Sequence, residues 1–413
     1  MAQVTRQDSL TSHLPEPEQQ VLVTPSRDSR PLARLLVDAV QQVGGQPYPW
    51  REFDTHAVVR AALVHGVAPA LALHLRGRND VPAELQAVVQ RCYRDQLARH
   101  LRTMADLRRL TELLGQSSIR WAVIKGPALS EVLWPRFDMR LYVDLDVLVH
   151  PADFREAVDL LLASGTRLVD RNWPLISRGR RGELGMELAG GTPLDLHWHV
   201  VNDPQLRDVF RFPIADMLDR GPSVLLRGSR TRTLDAADTL LHLVYHMVHS
   251  GGHKLVWLKD VDLAMTQDRL DWRELEHRAQ EYGCALALEA VINRVQMVLP
   301  SARSGLKTRP RRSLWSTGAR VVDRWRRPPH LPDERWSGRI VFQSTRAGTW
   351  QSVRAAADAA LHRPPTGHHG ASNPLHDDRP DQEAQATFFE MIENDRPPRS
   401  SRLSPPPAER PKP

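Results

Sequence analysis

The stretch that most constrains this chain runs from Trp121 to Val149, W-A-V-I-K-G-P-A-L-S-E-V-L-W-P-R-F-D-M-R-L-Y-V-D-L-D-V-L-V. A short apolar run, Trp121 to Ile124, stops at Lys125-Gly126. A helix-compatible segment, Ala128 to Leu133, follows, and a run rich in β-branched and apolar residues closes the stretch from Tyr142 to Val149. Side chains alternate faces along a strand, so Asp144 and Asp146 point one way while Val143, Leu145, Val147 and Val149 face a core. Two carboxylates on one face of an apolar strand repel each other and resist burial, which calls for a cation between them. Same-face strand positions lie roughly 6.5–7 Å apart, close enough for two Asp side chains to converge on one divalent ion or to hold a metal pair ~3.5–4 Å apart. Such oxygen donors suit Mg²⁺, which keeps waters and takes substrate phosphate as a further ligand. The alternative is an edge strand with a solvated polar face. The corner shifts that balance, because a glycine there lets backbone approach a phosphate and the following helix offers free N–H groups.

Elsewhere the chain is mostly helical in pattern. Residues 1–30 are polar and proline-containing, and are expected to be disordered. Apolar stripes then run through 31–118: Leu32, Leu35, Leu36, Ala39 and Val40; Val58, Val59, Ala62 and Leu63 after a cap at Asp54-Thr55; and a long segment from Pro82 to Leu114. This predicts an N-terminal helical subdomain ahead of a core at 119–234. After the D-x-D strand, Pro151 opens a helix, Thr166 to Val169 is a short strand, and Glu183–Leu188 with Leu194–Val200 flank Gly190-Gly191 as a hairpin. Strand alternation puts Asp195, His197 and His199 on one face of its second strand. A second helical block, 235–300, starts at an Asp235 cap, and Asp271 with Glu274 three residues on caps a later helix. His242, His246 and His249 share one face of its first helix. That spacing can hold zinc, but H-L-V-Y-H lacks the glutamate of the zinc-protease motif, and a packed or cleft-lining face is the preferred reading. Lys254 and Lys259 could reach a triphosphate or simply lie on the surface. Residues 301–361 read as a helical extension, and 362–413, Pro- and Arg-rich, as a disordered tail.

The pattern K-G-x-x-L followed by R-x-x-x-D-x-D-x-L-V resembles nucleotidyltransferases of the DNA polymerase beta superfamily, and more narrowly a bacterial family of nucleotidyltransferases, over about residues 31–300. The resemblance implies an α/β (α+β) fold: a small mixed sheet flanked in sequence by helical blocks. It also implies transfer of a nucleoside monophosphate from an NTP, ATP first, to a hydroxyl-bearing acceptor with release of pyrophosphate. Lys125, Gly126, Arg140 and Lys254 would bind the nucleotide, and Asp144, Asp146 and Asp195 would be the catalytic ligands of Mg²⁺, or of Mn²⁺. Glu187 on the partner strand rivals Asp195 as the third carboxylate. Arg140 would either contact phosphate or pair with the acidic site. Asp260 matches the family's tryptophan-to-aspartate helix signature. One departure stands out: the superfamily often has Gly-Ser at the turn, and this chain has Gly126-Pro127, with Ser130 a helical turn later. The alternatives are adenylylation of a protein or peptide partner, as in toxin–antitoxin systems or natural-product tailoring, and a non-catalytic nucleotide-binding scaffold.

Composition bounds these expectations. Net charge is +7 and arginine supplies most of it; lysine occurs only at positions 125, 254, 259, 307 and 412. Dispersed arginine argues against specific nucleic-acid binding, and a rare lysine at the glycine corner hints that a compact point charge is wanted there. No apolar run is long enough to span a membrane. Two distant cysteines, Cys92 and Cys284, make no disulfide framework, and the polar N-terminus lacks a signal-peptide pattern, so the expected residence is cytoplasmic.

Overall fold

The computed structural model describes residues 30–299, 313–326, 336–361 and 373–394. Its centre is a five-stranded mixed sheet of β1 (Trp121–Val123), β2 (Leu145–Val149), β3 (Arg167–Leu168), β4 (Glu183–Glu187) and β5 (Pro193–His197), in the order β1-β2-β5-β4-β3. Only β2 and β5 run parallel, with Asp146 opposite Asp195; the other pairs are antiparallel. A separate hairpin, β6 (Ser223–Leu226) and β7 (Ser229–Arg232), precedes the second helical block. The fold is the mixed α/β architecture that the family resemblance implies.

Local chemistry explains the helix starts. Asp54 accepts from the amides of His56 and Ala57 at the head of Thr55–Val64, Asp235 from Asp238 N at the head of Ala236–Ser250, and Asp271 from Arg273 N and Glu274 N at the head of Trp272–Glu281. Each satisfies amides that the first helical turn leaves without partners. Glu274 does not reach back to complete a capping box; it holds Arg278 Nε at 2.7 Å.

The two faces of the sheet meet different cores. Leu145, Val147 and Val149 of β2 pack with Leu184, Met186, Leu194 and Leu196 against the helix Phe154–Ala163 and the second half of the 33-residue helix Ala83–Gly115. On the other side of β2, Leu148 joins a core shared by the N-terminal helices and the helices of residues 236–298. The two helical blocks, separate in sequence, thus merge into one helical body over the face of the sheet that carries the aspartates.

The expected strand over 142–149 starts only at Leu145, and Asp144 lies immediately before it. The expected disordered tail is corrected in part: residues 373–394 are ordered, with a helix at Gln382–Asn394. Its Phe388, Phe389 and Ile392 are buried, the two rings lying 6.0 and 5.9 Å from Trp173. A 13-residue amphipathic segment was hidden by the Pro- and Arg-rich sequence around it. The remainder of that tail, the N-terminal residues 1–29 and parts of the extension lie outside the described residues.

Phe388→Ala should destabilise the protein by about 3–5 kcal/mol, the cost of emptying a packed aromatic site. Trp350→Ala, at a position 83% exposed, should stay within about 0.5 kcal/mol. Equilibrium urea unfolding of both variants checks the contrast.

Candidate active site

The site begins at the corner after β1. Ile124 N donates to Asp146 O at 3.1 Å, holding the end of the corner against β2. Gly126 then adopts φ +57, and a Cβ there would come within 2.6 Å of the Asp144 carbonyl oxygen. Only glycine takes this conformation and this approach without strain. Pro127 follows at the first turn of the helix Pro127–Val132, where its missing N–H costs nothing. Ser130 is fully buried and its hydroxyl turns back to Gly126 O at 3.4 Å, so it supplies no serine contact to the cleft.

This corner lays Lys125 alongside the acid strand. Its Nζ lies 2.8 Å from Asp146 Oδ1, and both side chains are largely buried. Burial works against the ammonium, but Asp146, Asp144 and Glu183 outweigh it and raise the lysine's pKa. Burial likewise opposes the Asp146 carboxylate, yet Lys125 and His197 hold its pKa well below the usual range. The pair is therefore ionised. His197 Nε2 donates to the same Oδ1 at 3.3 Å, while its Nδ1 stands 3.3 Å from Glu183 Oε2 without the alignment of a hydrogen bond. Glu183 is itself fixed by Arg181 at 2.9 Å and Asn202 Nδ2 at 2.6 Å.

Of the residues singled out in the sequence, Lys125, Gly126, Arg140, Asp144, Asp146 and Asp195 line one cleft. Asp195 sits beside Asp146 through the β2–β5 register, with Gly185 of β4 on its other flank. Glu187 is not among the lining residues and pairs with Arg167 instead. Arg140 pairs with a carboxylate outside the acidic strands: its Nε and Nη2 grip Asp260 at 2.9–3.1 Å, and Trp134 Nε1 caps the same carboxylate at 2.7 Å. The guanidinium is thereby committed to bracing the corner, where its Nη1 also reaches Gly126 O at 3.4 Å.

Two expectations are corrected. Lys254 does not line the cleft; its ammonium lies over the Trp257 ring, 5.1 Å from the centroid. His199 does not share the face of Asp195 and His197, because β5 ends at His197. There Gly182 O takes the amides of both Trp198 and His199, which breaks the alternation. His199 turns inside, where its Nδ1 accepts from Val201 N at 2.9 Å. The three histidines of Ala236–Ser250 do line the cleft, with Tyr245 and Trp257. Burial, then the Lys125 charge, pushes the pKa values of His242 and His246 well down, so both imidazoles are neutral. The sequence pattern does not reveal Glu183, Asp170, Asn202 or the segment Asn373, Leu375 and His376, all of which line the cleft. Asp170 and Glu183 border recognisable strands, but only the three-dimensional pairing shows which way they face.

A family model described as uncharacterised nucleotidyltransferase matches residues 51–300. The chain belongs to that family. An antigenic nucleotidyltransferase-like protein from Paracoccidioides brasiliensis also matches among solved structures, at 16% identity over 52% of this chain and 95% of its own, with a TM-score of 0.32. So loose a superposition carries no argument about the site. None of the curated proteins compared matches the chain.

Family membership gives the cleft a general nucleotidyl-transfer setting, and its donor set can be tested against a metal. Asp146 on β2, Asp195 on the adjacent β5 and Asp144 just before β2 offer only hard carboxylate oxygens. Among the described residues no three His, Cys, Asp or Glu side chains close into a metal cage. Carboxylate oxygens of this kind are the donors that Mg²⁺ takes, one or two at a time with water and substrate phosphate. No helix among the described residues is long and apolar enough to cross a membrane.

Lys125→Met strands the buried Asp146 charge and should cost about 3 kcal/mol. Adding Asp146→Asn should recover part of that loss, and a double-mutant cycle in urea measures the coupling. A second expectation concerns acid. Burial, then Arg207, lowers the His199 pKa to about 3, below an unfolded value of about 6.5. The stability this provides is complete above about pH 6.5 and falls toward pH 3, by about 1.4 kcal/mol per pH unit. Thermal melts from pH 7.5 to 5 should show the loss, and His199→Asn should make it shallower.

Proposed function

We propose that this protein transfers a nucleoside monophosphate from an NTP, ATP first, to a hydroxyl-bearing acceptor and releases pyrophosphate. The observation carrying this reading is the register that sets Asp146 beside Asp195, with Asp144 on the same cleft and the Lys125-Gly126 corner against them. Asp144 and Asp146 would hold Mg²⁺ or Mn²⁺, with Asp195 sharing it. A bound divalent ion lowers the pKa of the acceptor hydroxyl and neutralises charge on the leaving pyrophosphate.

The chain's own groups do the positioning. Lys125 is a compact cation on a flexible stem, able to swing from Asp146 to the triphosphate and so bring the nucleotide's charge to the acid strand. Gly126 keeps the corner low enough for phosphate to approach the backbone. Arg140, clamped by Asp260, holds that corner still, and transfer of this type depends mainly on such positioning and electrostatics. The Asp195 carboxylate takes the acceptor proton as the acceptor oxygen attacks the α-phosphorus. The bond from that phosphorus to the β-phosphate oxygen breaks, and pyrophosphate leaves with the electron pair.

The Gly126-Pro127 turn favours a second reading, a nucleotide-binding scaffold without turnover, since Ser130 cannot replace the missing serine contact. The experiment incubates the purified protein with each NTP, Mg²⁺ or Mn²⁺ and a panel of small-molecule and peptide acceptors, and follows pyrophosphate release. Asp146→Asn or Asp195→Asn should each lower the rate about 10³-fold, a loss of about 4 kcal/mol of transition-state stabilisation, while Glu187→Gln leaves it unchanged. Binding without release across the panel supports the scaffold. Full metal-dependent NTP binding by Asp144→Asn/Asp146→Asn would sink the metal assignment.

A further inference from the structure

Four side chains lining the cleft carry a buried polar atom with no hydrogen-bond partner among the described residues; Arg181 Nε and His197 Nδ1 lie beside Glu183, and the other two belong to one helix. Those two are Nδ1 of His242 and the hydroxyl of Tyr245, on Ala236–Ser250. The two residues are 3% and 4% exposed, and both line the cleft that holds Lys125 and Asp146. Buried polar groups are almost always satisfied, so two orphans on one cleft wall need an explanation. Packing does not provide it. The Tyr245 ring is seated against Phe210 and Phe212, with centroids 5.2 and 5.8 Å away, and stacks on His249 at 5.8 Å, and none of these neighbours partners its hydroxyl. Beside them Trp257 completes an aromatic wall, with the His246 ring edge-on to it at 5.0 Å.

We propose that this wall is the nucleoside subsite: the base of the NTP lies along Tyr245 and Trp257, and His242 Nδ1 and the Tyr245 hydroxyl bond its edge. The inference rests on the nucleotidyl-transfer reading and divides the cleft between the two halves of the substrate. The triphosphate goes to the lysine side. The His242–Tyr245 wall offers two uncharged groups and aromatic surface, which do little for a polyanion and much for a flat heteroaromatic ring. A neutral imidazole nitrogen and a phenol can each donate or accept. Together they match the donor and acceptor groups that base edges present.

The test is calorimetric titration of the full chain, in Mg²⁺, with ATP, GTP, CTP, UTP and inorganic tripolyphosphate. At least one NTP should bind about tenfold or more tightly than tripolyphosphate. Tyr245→Phe keeps the ring and removes only the hydroxyl; it should erase about tenfold of that advantage and leave tripolyphosphate binding as it was. His242→Asn should act in the same direction, with thermal melts confirming that both variants fold. If tripolyphosphate binds as tightly as every NTP, or if both variants bind NTPs like the parent, the subsite is overturned while the aspartate variants still judge the transfer reading. The subsite is equally overturned if the variants slow transfer to an acceptor without weakening NTP binding, since the wall then belongs to the acceptor. Binding of neither NTPs nor tripolyphosphate overturns both readings together.

Discussion

The ion pair between Lys125 and Asp146 is the contact on which the rest of the site depends. An ionised carboxylate on the buried floor of a sheet is untenable without a compensating charge. The chain meets that need locally, with a lysine one residue before a glycine corner. The corner can come close enough only because Gly126 carries no Cβ to strike the Asp144 carbonyl. The Arg140–Asp260 clamp then holds the corner from outside, linking residues 120 positions apart. Charge, backbone conformation and long-range packing thus bear on one short stretch.

Much of that stretch was legible in the sequence because its signals are local. Strand alternation put Asp144 and Asp146 on one side, capping chemistry marked the helix starts at Asp54, Asp235 and Asp271, and the glycine pair at 190–191 marked the hairpin. What was not legible depends on pairing across distance. Glu183 faces the cleft because β4 sets it opposite His197, a register fixed by the sheet. Asp260 looked like a feature of its own helix, and its partner lies in the loop before β2. His199 shows the opposite failure: alternation was carried two residues too far, past the point where a single carbonyl takes two successive amides.

The histidine face of Ala236–Ser250 shows how one pattern serves either packing or binding. Its spacing was plain from the sequence, but spacing alone does not distinguish metal ligation from a cleft wall. In the structure the His246 and His249 rings pack on Trp257 and Tyr245, while burial, then the Lys125 charge, keeps the imidazoles of His242 and His246 uncharged.

One consequence follows from the segment that closes the cleft at Asn373, Leu375 and His376. It is anchored by the amides of Arg171 and Asn172 on Leu375 O and by the helix Gln382–Asn394 on Trp173. The family match ends at residue 300, so this wall is added from outside the shared portion. During synthesis the acid strands and the glycine corner leave the ribosome some two hundred residues earlier than this helix. The groups of the cleft and Trp173 are therefore all synthesised before the helix that covers the Trp173 ring.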